Sequence, residues 1–140
     1  MPTEERVTAA GRDRACWRAL LETRWQARLE ELTERSLAYH RAEGAILDAR
    51  GASRTGQQRG ASRTGQQGGG EVGLREAQAL LSLAVSARRK LIDVEEALGR
   101  LATGEFGRCE QCGAAIPAGL LALTPEARYC LRCDTGPADR

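Results

Sequence analysis

The stretch Leu101-Ala102-Thr103-Gly104-Glu105-Phe106-Gly107-Arg108-Cys109-Glu110-Gln111-Cys112-Gly113 holds two patterns end to end. On its left, Leu101 closes a row of apolar residues at helical spacing. Thr103-Gly104 marks the stop, because glycine tolerates the left-handed turn that commonly ends a helix. On its right, Cys109 and Cys112 open a spacing that Cys130 and Cys133 complete, C-x2-C-x17-C-x2-C. Two residues between cysteines let both sulfurs of a tight turn point at one ion, and a linker of roughly 15–20 residues brings a second turn opposite the first. Gly113 suits the positive φ of such a turn, and Pro125 stiffens the approach to the second pair.

Cys109, Cys112, Cys130 and Cys133 are therefore expected to hold one structural Zn2+ ion. Four thiolates leave no open position for a substrate or an activated water, so the metal is read as scaffold. No catalytic residue is assigned and no enzyme is expected, since no nucleophile–base pair is readable. A redox CxxC would normally occur once, beside a βαβ pattern, and disulfides would need an oxidising compartment. A module this small lacks apolar area of its own, and zinc binding, worth roughly 10–16 kcal/mol in comparable peptides, makes up the deficit.

To the left of the quoted stretch, Leu80, Ala84, Ala87, Leu91, Val94, Leu98 and Leu101 recur at steps of four and three, which predicts a helix over 74–101. The two alanines let a partner helix come close. Residues 13–50 contain no proline and only Gly44 as glycine, and Trp25, Leu29, Leu32, Ser36 and Tyr39 form a second row of the same spacing. Leu20 and Leu21 extend that row backward, and Ile46 and Leu47 extend it forward. Two helices of similar length, each with one apolar stripe, most simply fold back on each other. The fold expected is mainly α: a long antiparallel helical hairpin of coiled-coil character, followed by a small four-cysteine zinc-finger module. Cys16, beside Trp17, is expected to be a small buried apolar residue, and His40, the sole histidine, an exposed residue on a helix.

Between the helices, Gly51-Ala52-Ser53-Arg54-Thr55-Gly56-Gln57-Gln58 recurs as Gly60-Ala61-Ser62-Arg63-Thr64-Gly65-Gln66-Gln67, followed by Gly68-Gly69-Gly70. Glycine, serine and threonine without a large apolar residue predict disorder over 51–70. The domains expected are an N-terminal tail (1–12), the hairpin (13–104) with its disordered repeat loop (51–70), the zinc finger (105–134) and a C-terminal tail (135–140). Arg50, Arg54, Arg59 and Arg63 make the loop locally basic, with no acid between Asp48 and Glu71. These arginines and Asp48 are the candidate partner-binding residues. The plainer reading is a solvated linker enlarged by duplication.

Composition sets outer bounds. Twenty-one basic and nineteen acidic residues nearly cancel, so net charge argues for neither nucleic acid nor membrane. Lys90 is the only lysine, and with the high Ala and Gly content this reads as the codon bias of a GC-rich bacterial genome. No stretch approaches the roughly 20 apolar residues that cross a bilayer. Residues 1–14 carry both charge signs and no apolar run, so they are not read as a secretory signal. A cytoplasmic, reducing location is expected.

The segment 95–134 resembles the DksA/TraR family of bacterial transcription regulators. The residues that carry the resemblance are Leu98-Gly99-Arg100-Leu101-Ala102-Thr103-Gly104, then Glu105-Phe106-Gly107-Arg108-Cys109-Glu110-Gln111-Cys112-Gly113, then Ile116-Pro117, Pro125, Ala127-Arg128 and the Cys130–Cys133 pair. The resemblance implies direct binding to bacterial RNA polymerase rather than to a DNA sequence. The coiled coil would enter the polymerase's secondary channel, its tip would approach the catalytic centre, often together with ppGpp, and the zinc module would brace the hairpin's base. A monomer with no membrane partner is expected, although the sequence leaves open whether the helices pair within one chain or between two.

The chain departs from the family where that mechanism acts. The family's tip reads Asp-x-x-Asp-x-Ala, and here Asp48-Ala49-Arg50 is half of it, followed by the basic repeat. Leu120 stands where the family usually has arginine, and Leu123 where it often has alanine. The family's ppGpp-contacting basic residues have no position-by-position match, with Arg88, Arg89, Lys90 and Arg100 merely nearby. A second functional class stays open on sequence alone: a zinc-stabilised coiled-coil module that binds another protein or nucleic acid through its basic loop.

Overall fold

The computed structural model describes residues 14–56 and 67–134. Its elements are α1 (Arg14–Gly56), α2 (Gln67–Thr103), α3 (Ala118–Leu123) and α4 (Leu131–Asp134). Among the described residues there is no β-strand, and Arg108 and Ala115 make an isolated antiparallel bridge. The chain divides into two compact units, Arg28–Arg89 and Met1–Ala27 with Lys90–Arg140. Both long helices contribute to each unit.

In the first unit the expected seam of α2 is the one that packs. Ala77, Ala84 and Ala87 are buried and Leu80 is half-buried. From α1, Leu32, Ser36, Tyr39 and Ile46 are half-buried, whereas Leu29 is exposed at the margin. Small side chains let the helices approach: a Cβ placed on Gly73 would sit 3.5 Å from Ile46 Cγ1. Leu47 was expected to share the seam with Ile46, but it is exposed. Adjacent helical residues point about 100° apart, so only one of the pair can face the partner helix.

The second unit holds the main core: Trp17, Leu21, Val94, Ala97, Leu101, Cys109, Ile116, Ala118, Leu121 and Cys130. Here α1 supplies Trp17 and Leu21, one helical turn apart, and the Trp17 ring lies 5.4 Å from that of Phe106. Cys16 is exposed, which corrects the expectation of a buried thiol. With Trp17 and Leu21 setting the inward face, the residue before Trp17 is turned toward solvent. His40 is exposed on α1, as expected, with Glu43 3.5 Å away.

α2 ends where the sequence placed its end. Gly104 has φ +80°, and the Glu105 N–H donates to the Arg100 carbonyl at 2.9 Å, the bond that closes a Schellman turn. Arg14 adds a guanidinium bond to the Ala102 carbonyl at 2.9 Å, which satisfies another carbonyl of the last turn. The repeat loop differs from expectation at both ends, because α1 takes in residues 51–56 and α2 takes in 67–70. Extending a helix already nucleated gains one hydrogen bond per residue ordered, so the Ala, Ser and Arg of the repeat continue it despite the glycines. Residues 57–66, like both expected tails (1–12 and 135–140), lie outside the described residues.

Candidate metal centre

The first cysteine pair sits in a tight turn built by glycine. Gly107 (φ +80°) and Gly113 (φ +71°) take the left-handed backbone that other residues resist. Between them the chain doubles back: Cys109 N–H donates to the Ala114 carbonyl at 2.8 Å, Gly113 N–H to the Cys109 carbonyl at 2.9 Å, and Ile116 N–H to the Gly107 carbonyl at 2.7 Å. Pro117 then leads into α3, whose Ala118 and Leu121 are buried. The second pair begins α4, where the Cys130 carbonyl accepts from the Cys133 and Asp134 N–H groups at 3.0 and 2.8 Å. One further bond, from the Glu110 N–H to the Arg128 carbonyl at 2.9 Å, ties the first turn to the second.

This brings the four expected ligands together. The sulfurs of Cys109, Cys112, Cys130 and Cys133 all lie within 4.8 Å of one another, and Cys112 and Cys130 Sγ are 3.7 Å apart. A tetrahedral ion with Zn–S bonds of about 2.3 Å requires sulfur–sulfur edges of about 3.8 Å, so the donor set fits zinc in both chemistry and size. Cys109 and Cys130 are buried, Cys133 is half-buried and Cys112 is exposed, so solvent reaches the centre from one side.

Backbone amides prepare two of the four thiols. The Cys130 N–H aimed at its sulfur is the main force that brings the Cys109 thiol down to about 6, with the Cys112 and Gln111 amides helping and burial opposing. Cys130 is lowered in the same way, chiefly by the Cys133 N–H. Cys133 moves the opposite way, up to about 12, first because of the Cys130 side chain and then because of burial. Without a cation the cluster does not hold four negative sulfurs. A bound dication lets all four ionise.

Charged side chains brace the module from outside. Arg24 of α1 pairs with Glu126 at 3.3 Å and donates to the Leu123 carbonyl at 2.6 Å. Arg100 of α2 pairs with Glu110 at 3.3 Å and reaches the Glu126 carbonyl at 3.4 Å. Arg128 pairs with Asp93 at 3.5 Å and with Glu96. Trp25 Nε1 donates to Glu95 at 3.1 Å, joining α1 to α2 beside them. Arg24, Glu110 and Glu126 were not singled out from sequence, since charge pairs far apart in the chain leave no periodic trace. Arg100, noted from sequence only for lying near the expected ligand-contacting positions, is engaged with the metal module. Of the candidate partner-binding residues, Asp48 and Arg50 are exposed in the Arg28–Arg89 unit. Arg54 lies in the last turn of α1, and Arg59 and Arg63 are outside the described residues.

Residues 104–136 match the family model described as the prokaryotic dksA/traR C4-type zinc finger. The chain carries a DksA/TraR zinc finger. It therefore carries the site of one structural zinc, held by the four cysteines that the turns above bring together. Over 89% of its length the chain is similar in fold to the structure of the transcription factor DksA2 from Pseudomonas aeruginosa, with a TM-score of 0.50, 23% identity and coverage of 88% of that chain. An uncharacterised protein of Aquifex aeolicus (strain VF5) is 40% identical over 43 residues, a match spanning 31% of this chain and 30% of that protein's length. The fold is DksA-like, an α1–α2 hairpin with a C-terminal four-cysteine module. Among the described residues, no helix is long and apolar enough to cross a membrane.

Proposed function

We propose that this chain is a transcription regulator that acts by binding bacterial RNA polymerase at its secondary channel rather than a specific DNA sequence. The observation that carries the reading is the direct junction, through Gly104, of a DksA/TraR zinc finger to a long helical hairpin of DksA-like fold. The reading is of a cytoplasmic, non-enzymatic protein. Its zinc is a brace: the ion organises the turns that Arg24, Arg100 and Arg128 grip, and so fixes the end of α2 against them.

The tip acts differently from the family's. Asp48 is exposed near the end of α1, and the next acid in sequence is Glu71. One carboxylate followed by arginines does not help to hold a magnesium ion as two carboxylates do. A basic tip is instead drawn to the acidic residues that hold such an ion, or to phosphates. ppGpp has no assigned contact in this reading.

The test is a pull-down of RNA polymerase from host lysate at low salt, comparing the wild type, a Cys109→Ser/Cys112→Ser double variant and a deletion of residues 51–67. The wild type should retain polymerase and the double variant should lose it. If the repeat is an inert linker the deletion will bind as the wild type does, and a large loss would assign it a role. Absence of polymerase from the wild-type sample would refute the reading. Steeply salt-dependent capture of nucleic acid in its place would favour the basic-loop interaction module.

A further inference from the structure

Asp93, Glu96 and Arg100 stand at positions i, i+3 and i+7 of α2, a spacing that places them along one face of the helix. Their partners all lie in the four-cysteine module. Arg128 pairs with Asp93 at 3.5 Å and with Glu96. Arg100 pairs with Glu110 at 3.3 Å and donates to the Glu126 carbonyl at 3.4 Å. In sequence such a row reads as a solvated helix face. In the structure it is the stripe of α2 against which the cysteine turns are set.

Arg100 joins both turns at once. Glu110 lies between Cys109 and Cys112 in the first turn, and Glu126 lies in the segment that leads to Cys130 in the second. Nη1 holds the one and Nη2 the other. The planar fork of arginine offers rigid donors in two directions, which the single ammonium of lysine does not. The Arg100 side chain is only 11% exposed, so solvent ions screen the pair little. Its root is fixed as well, because the Arg100 carbonyl accepts from the Glu105 N–H at 2.9 Å and from the Thr103 hydroxyl at 3.2 Å. The bond from the Glu110 N–H to the Arg128 carbonyl closes a circuit that leaves α2 at Arg100 and returns to it at Glu96.

We propose that Arg100 is a positioning residue for the zinc ion: it holds the two cysteine turns at the separation that four sulfurs sharing one ion require, and so lets α2 set how tightly the metal is bound. The four cysteines supply the bonds to the metal. Their sulfurs already lie within 4.8 Å of one another, so little of the binding energy is spent on bringing the turns together. With Arg100 removed, Glu110 and the Glu126 segment lose their common anchor, and the ion has to gather the turns itself. Groups that orient metal ligands from behind are typically worth about 10–100-fold in metal affinity. The link is reciprocal, so the bound ion restrains the last turn of α2 through the same guanidinium. The proposal does not rest on polymerase binding.

The test is the zinc affinity of the full chain, measured by competition with a chromogenic chelator at one fixed pH. Arg100→Met should weaken zinc binding about tenfold. Arg100→Lys should recover part of the loss, since it keeps the charge and reaches one acceptor. Glu110→Gln should weaken binding by less than Arg100→Met, because the bond to the Glu126 carbonyl remains, and the double variant should bind zinc no more weakly than Arg100→Met alone. Glu110→Gln also keeps the question open to measurement if Arg100→Met fails to fold. Trp25→Phe is the control for a general loss of stability: it removes the bond to Glu95 that joins α1 to α2 and touches neither cysteine turn. It should lower the melting temperature and leave zinc affinity unchanged. Hydrogen exchange gives the reciprocal readout, with zinc slowing exchange of the Glu105 amide in the wild type and slowing it less in Arg100→Met. Unchanged zinc affinity in Arg100→Met and Glu110→Gln, an equal loss in Trp25→Phe, or the same zinc-dependent protection of Glu105 in wild type and Arg100→Met would overturn the proposal.

Discussion

Replacing Trp17 by alanine removes the side chain through which the start of α1 enters the main core. Trp17 is 1% exposed and packs 5.4 Å from Phe106, the aromatic residue just ahead of the first cysteine pair. A buried tryptophan covers roughly 200 Å², which at about 25 cal/mol per Å² corresponds to about 5 kcal/mol, of which alanine recovers a small part. Loss of the aromatic pair adds about 1 kcal/mol and partial collapse of the cavity subtracts, giving a net cost of about 3–5 kcal/mol. For a chain of this size that lowers the melting temperature by roughly 10–16 °C. The assay is thermal unfolding of the zinc-loaded protein by circular dichroism, with the fluorescence of Trp25 as a second probe. Cys16→Ala is the paired control: the thiol is exposed, so its removal should change stability by less than about 0.5 kcal/mol. Melting of Trp17→Ala together with the wild type, or a Cys16→Ala variant as damaged as Trp17→Ala, would refute this reasoning.

Three further predictions concern the module. Gly104→Ala forces a side chain into the left-handed region at φ +80° and should cost about 1–2 kcal/mol in chemical denaturation, with zinc content unchanged. Zinc affinity should fall as pH falls, because protons compete with the metal for sulfur. The fall should steepen below about 6, where Cys109 also takes up a proton, and a competition titration with a chromogenic chelator should show this break. Arg24→Met and Glu126→Gln should each destabilise by about 1 kcal/mol, and a double-mutant cycle should return a coupling of the same order; additive losses would show that the Arg24 bond to the Leu123 carbonyl carries the contact instead.

Much of this architecture is legible in the residues because it rests on short periods. Four cysteines at fixed spacing, a seam at steps of three and four, and a glycine after the last seam residue each constrain neighbouring residues, and the structure places all three as expected. What escaped reading depends on which of two adjacent residues wins a position. Cys16 beside Trp17 and Leu47 beside Ile46 are ambiguous in sequence and are decided only by the partner surface. The braces from Arg24 and Arg100 were hidden for another reason: their acidic partners lie in a different part of the chain, brought near by the turns at Gly107 and Gly113. The limits of the repeat loop were misjudged because glycine content argues for disorder locally, while a long helix arriving from one side favours continuation.

Engagement of polymerase by the braced hairpin is the step on which the proposed function depends. The most direct measurement is a titration of purified bacterial core RNA polymerase with the zinc-loaded chain, with and without a saturating secondary-channel factor of established site. Saturable binding by the wild type that the competitor displaces, and that zinc removal abolishes, is the predicted result. Binding undiminished by the competitor, or no binding at any concentration, would contradict it.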